Sequence, residues 1–187
     1  MSYRTKQAER GKEAVHSLAS FLENTFGNLH ISIHEAGYSS GEYGSPDIVF
    51  REFGIEVKRI EFLAKERYKG EEYPARLNTL KINSFEWRLQ KEWCKLNKKQ
   101  HVFIVVLTWG DQTPIYVGFT EEQIDGFRER CKHRRSAQRE SSEEYRKAFC
   151  FGVNSLDVLK EGMVLNNPDF LCRFFDAIPE NEAQITT

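Results

Sequence analysis

The uninterrupted apolar run Val102-Phe103-Ile104-Val105-Val106-Leu107 constrains the fold of this chain more than any other stretch. Flanked by His101 and Thr108, it reads as a strand buried on both faces, which requires neighbours beside it and cover above and below it. Ile115 to Phe119 supplies one neighbour, paired across a turn from Trp109 to Pro114. Cover comes from amphipathic helices. From Lys6 to Phe26 the residues Ala8, Val15, Leu18, Ala19, Leu22 and Phe26 recur at helical spacing, with Gly27 as a C-terminal stop. A second helix starts at the N-cap Ser84, presents Phe85, Leu89, Trp93 and Leu96 on its apolar face, and ends at Lys98-Lys99. At 187 residues, 40% hydrophobic, the chain is long enough for one core, so 1–187 is expected to form a single domain.

Upstream of the buried strand, His30 to Glu35 alternates Ile31 and Ile33 with polar residues, the period of a half-buried strand. A Gly/Ser-rich loop over 37–45 follows. Asp47 to Phe50 then forms a hairpin with Ile55 to Phe62, joined by a turn at Glu52 to Gly54. Residues two apart on a strand share a face, so Glu56 and Lys58 project together while Ile55 and Val57 pack the other way. Asp47 on the adjacent strand completes a cluster of two carboxylates and an ammonium. Hard divalent cations take such oxygen ligands together with water and substrate phosphate, and an ammonium beside them stabilises charge developing on a phosphate.

Pro46-Asp47 followed by Glu56-Val57-Lys58 resembles the signature of the PD-(D/E)xK nuclease superfamily, in a matching strand-turn-strand setting. The specific motif occupies positions 46–58, and the likeness in element order covers Lys6 to Phe119. The resemblance implies a restriction endonuclease-like α/β (α+β) core over about 6–120, a central mixed β-sheet flanked by helices, followed by a basic, helical C-terminal extension over about 121–187. It further implies a Mg²⁺-dependent endonuclease that hydrolyses phosphodiester bonds in DNA, of restriction, resolvase or repair type, with Mn²⁺ as a substitute for Mg²⁺. Asp47 and Glu56 would be metal ligands, the Val57 carbonyl a further ligand, and Lys58 the catalytic lysine. Family members often add an acidic residue from the first helix. Glu13 is the nearest candidate here, though its place lies almost opposite the apolar face; Glu9 and Glu35 are no better placed, and Gln90 on the second helix is another candidate. A non-catalytic nucleic-acid-binding or assembly module on the same fold is the alternative.

Other signals bear on partners. Lys+Arg 27 against Asp+Glu 28 leave a net charge of −1, so any DNA-binding surface must be a local patch. Two segments offer one. The excursion Leu63 to Lys81 reads as a long loop carrying Lys65, Arg67, Lys69, Arg76 and Lys81. Between Phe127 and Arg139, a helix would place Arg128, Lys132, Arg135 and Arg139 on one face, suited to phosphates or equally to pairing with Glu140, Glu143 and Glu144. Ile115-Tyr116-Val117-Gly118-Phe119 with Arg128 and His133 resembles half of the GIY-YIG nuclease signature. The other half is missing, and a strand whose Gly118 permits a tight turn is the plainer reading. Trp87, Trp93 and Phe85 are expected in the core, Trp109 in an exposed turn, and His133 on the surface. Cys94, Cys131, Cys150 and Cys172 lack metal-ligand spacing and read as free thiols. With no stretch of about twenty apolar residues and no leader pattern, the chain is expected to be cytoplasmic and to span no membrane. An enzyme cutting both strands of a duplex often works as a homodimer, although no heptad seam is present.

Overall fold

A computed structural model describes residues 3–27, 30–34, 44–61, 65–68, 71–74, 79–108, 112–130, 134–135 and 149–177. A six-stranded sheet organises them, ordered β1 (Ile31–Ile33), β2 (Ile48–Phe50), β3 (Phe53–Glu61), β7 (Gln100–Thr108), β8 (Ile115–Thr120) and β11 (Met163–Val164). β3 and β7 run parallel, with Glu56 beside Phe103 and Lys58 beside Val105; all other neighbours are antiparallel, so the sheet is mixed. The path from β3 to β7 passes through the hairpin β4 (Lys65–Tyr68) and β5 (Glu71–Pro74), then β6 (Thr79–Asn83) and α2 (Ser84–Leu96).

The apolar run divides its side chains as the pleat requires. Val102, Ile104 and Val106 join one core with Ala14, Leu18 and Leu22 of α1 (Tyr3–Phe26) and with Leu171, Phe174 and Phe175 of α5 (Pro168–Ala177). Phe103, Val105 and Leu107 join the opposite core with Trp87 of α2, Ile124 and Phe127 of α3 (Glu121–Arg130), and Val158 of α4 (Ser155–Glu161). The expected α/β class, a mixed sheet with flanking helices, is therefore the observed one. α1 stops where expected: the Gly27 N–H bonds the Glu23 carbonyl at 2.9 Å, with Gly27 at φ 81°.

Several local expectations change. The hairpin turn is Arg51–Glu52 rather than 52–54, because Ile48 pairs with Ile55 and Phe50 with Phe53. Arg51 sits at φ 51°, its guanidinium 4.7 Å from the Phe26 ring centre and 5.2 Å from that of Phe50. The excursion 63–81 is not an irregular loop throughout, since β4 and β5 pair with each other and β6 joins β10 (Phe149–Asn154) in a second sheet. The continuous basic helix is overturned. α3 ends at Arg130, and Arg134–Arg135 form β9, paired with Phe149 and Cys150 of β10, so the four cations do not share one helical face. The C-terminal part thus contains strands as well as helices, and β11 extends the main sheet.

Gly118 lies inside β8 rather than at a turn; a Cβ there would meet the Phe174 ring at 2.8 Å and Leu165 at 2.9 Å, so its role is close packing beneath α5. Trp87 is fully buried, whereas Phe85 and Trp93 are half-buried. Glu35, Lys69, Arg76, Trp109, Cys131, Lys132, His133 and Arg139 lie outside the described residues, and Cys94 and Cys172 are free thiols. Among the described residues no helix is long and apolar enough to cross a membrane.

Candidate functional site

Where β2 ends beside Ile55, the backbone of β3 past that residue has no strand partner on that side among the described residues, and Asp47 fills the gap. Its Oδ2 accepts the Val57 N–H at 2.8 Å. The N–H and C=O of one strand residue point to the same side, so the Val57 carbonyl also faces the Asp47 edge rather than β7. Two glycines allow this approach. A Cβ at Gly54 would lie 2.5 Å from Cys94 Sγ and 3.0 Å from Pro46 Cγ, and one at Gly44, which has φ 95°, would lie 2.8 Å from Leu89 Cβ. Pro46 and Ser45 are buried in consequence, and the segment entering β2 is clamped between β3 and α2.

The pleat sends Val57 into the α1 core and turns Glu56 and Lys58 toward α2, as the alternation predicts. Glu56 is 3% exposed. Its Oε1 lies 2.5 Å from Lys58 Nζ, and its Oε2 accepts from Gln90 Nε2 at 2.5 Å. Asp47 is near enough to share a hydrogen bond with the Glu56 carboxyl. Burial, and then the Asp47 charge, push Glu56 up to about 8, against the pull of Lys58. Burial alone would lower Lys58, but Glu56, Asp47 and Glu86 together hold it above the ordinary lysine value. Lys58 keeps about a third of its side-chain surface open (34%), so the cluster reaches solvent at the ammonium and is closed at Glu56.

Asp47, Glu56 and Lys58 therefore come together as the sequence suggested. Glu13 does not join them. It pairs with Arg59 at 2.9 Å, and Arg59, held also by Thr108 Oγ1 at 3.1 Å, points to the α1 side of β3. Glu9 is exposed on α1. α2 supplies the remaining groups instead, Gln90 on Glu56 and Glu86 acting on Lys58. The buried seam of α2 is Trp87, Gln90 and Cys94, not the expected Phe85, Leu89, Trp93 and Leu96; Leu96 is 84% exposed. Gln90, named from the sequence as a further candidate, is thus brought to the site, although the local pattern alone did not mark it as buried.

The donor set suits a hard divalent cation: two adjacent carboxyl groups, which share a proton when no cation is bound, and a backbone carbonyl on the same edge. Among the described residues no three His, Cys, Asp or Glu side chains gather as a closed metal cage. Tyr116, the residue of the GIY-YIG resemblance, is buried on the opposite face, its hydroxyl 2.7 Å from that of Ser17 on α1.

No family model and no curated protein matches the chain. Among solved structures it is similar to the Holliday junction resolvase Hjc of Archaeoglobus fulgidus, an archaeal hyperthermophile, with 15% identity, coverage of 83% of this chain and 92% of that chain, and a TM-score of 0.47.

Proposed function

We propose that the protein is a metal-dependent endonuclease of the PD-(D/E)xK superfamily acting on DNA, with 1–187 as a single nuclease domain. The observation that carries this reading is the buried carboxyl group of Glu56, held between Asp47, Lys58 and Gln90 in a cluster that opens to solvent at the Lys58 ammonium. A carboxylate does not stay in such a place for stability, because desolvating it beside a second carboxylate costs free energy that a bound cation would offset. Asp47, Glu56 and the Val57 carbonyl would hold Mg²⁺, or Mn²⁺ in its stead. When bound there, the cation polarises a phosphodiester and makes water a better nucleophile. Gln90 fixes the Glu56 rotamer, and the Val57 N–H fixes Asp47. Lys58 stays protonated at neutral pH and donates to a phosphate oxygen at the open side of the cluster.

The test is cleavage of plasmid and single-stranded DNA with Mg²⁺ or EDTA. EDTA should abolish cutting, and Asp47→Ala and Lys58→Ala should each lower it by roughly 10²–10³-fold, the usual effect of removing one charge-stabilising group. Unchanged cleavage by both variants would overturn the assignment. DNA bound by the wild type and never cut would favour the binding-module alternative.

A further inference from the structure

His34 stands directly across from Asp47. In the antiparallel ladder Ile33 pairs with Ile48 and Ile31 with Phe50, so the next register pair is His34 with Asp47, and the His34 N–H bonds the Asp47 carbonyl at 2.8 Å. Opposite residues in such a ladder share a face. The ring of His34 is accordingly on the α2 side, edge-on to Trp93 with centroids 5.7 Å apart, and Trp93 follows Gln90 by one helical turn. His34, Asp47 and Glu56 thus form one row across β1, β2 and β3, roofed by α2. Within that row His34 Nδ1 is buried and has no hydrogen-bond partner among the described residues. Such an orphan calls for an unseen water or ion, since leaving it unpaired is costly.

We infer that His34 is a positioning residue of the cation site, its buried Nδ1 hydrogen-bonding a water of the divalent cation's coordination shell. The inference rests on the proposed Asp47–Glu56 cation site. A cation held by two carboxylates keeps several waters, and an imidazole in the next place along the row orients one of them.

Isothermal titration of the full chain with Mn²⁺ and with Mg²⁺, at one pH, tests this without measuring turnover. His34→Ala should weaken binding by about 10–100-fold, the usual effect of removing an outer-shell partner. His34→Asn, which restores an acceptor, should recover part of that loss, and His30→Ala at the exposed start of β1 should change nothing. In the wild type, Mn²⁺ should broaden the ring resonances of His34 before those of the exposed His16 and His30. The inference is overturned if His34→Ala binds as tightly as wild type while Asp47→Ala does not, or if His34→Asn is as impaired as His34→Ala. If Asp47→Ala also binds normally, the underlying cation site is what fails.

Discussion

In the proposed site a proton and a divalent cation would compete for Glu56. Its folded-state value is raised from 4.5 to about 8, so between these pH values the folded state holds a proton that the unfolded state has released. Cation affinity should rise by up to about tenfold per pH unit as pH approaches 8 and then level off, as one displaced proton requires. Without cation, the contribution of Glu56 to stability is full below 4.5 and is lost as pH rises to 8. His101 titrates in the opposite sense. Burial, reinforced by Lys91, lowers it to about 3, so its contribution is lost as pH falls from 6.5 toward 3. Thermal melts of the apo protein compared with Glu56→Gln separate the two: the Glu56-dependent decline between pH 5 and 8 should vanish in the variant, and Mg²⁺ should raise the melting temperature of the wild type alone. A variant that declines as the wild type does would remove Glu56 from this account.

At the scale of elements, the approach of α2 to the hairpin is the structural requirement of the site. Gly54→Ala places a Cβ against Cys94 and Pro46 and should cost about 1–3 kcal/mol, as overpacking does, with a drop in cation affinity because Asp47 rides on the displaced segment. Denaturant unfolding and cation titration check both parts. The hairpin itself was legible because Ile55-Glu56-Val57-Lys58 alternates cleanly, and the buried strand because its apolar run has no interruption. The seam of α2 was not, since Phe85, Leu89, Trp93 and Leu96 fit a helical stripe as well as Trp87 and Cys94 do, and only the partner Glu56 explains why Gln90 is inside. β9 was illegible for the same kind of reason: Arg134 and Arg135 are extended through pairing with β10, a tertiary preference that overrides the local pattern.

For the whole molecule, the C-terminal segment is part of the core rather than an appendage. Leu165, Leu171, Phe174 and Phe175 are buried against α1 and the sheet, and Asn166 bonds both the Tyr116 N–H at 2.9 Å and the Pro114 carbonyl at 2.7 Å. Removing 162–187 exposes four large apolar pockets at about 1.5–3 kcal/mol each, a sum comparable with the usual total stability of a domain. The truncated chain should lack a cooperative melt by circular dichroism, whereas Asn166→Ala should fold with a loss of about 1–3 kcal/mol. The parallel pairing of β3 with β7 has a consequence in time. A chain emerging from synthesis can close the β2–β3 hairpin early, bringing Asp47 to Val57, but Lys58 meets Val105 only after 47 further residues have been made. The hairpin that carries Asp47, Glu56 and Lys58 is therefore complete in sequence before β7, the strand that lies beside Glu56 and Lys58, has been made.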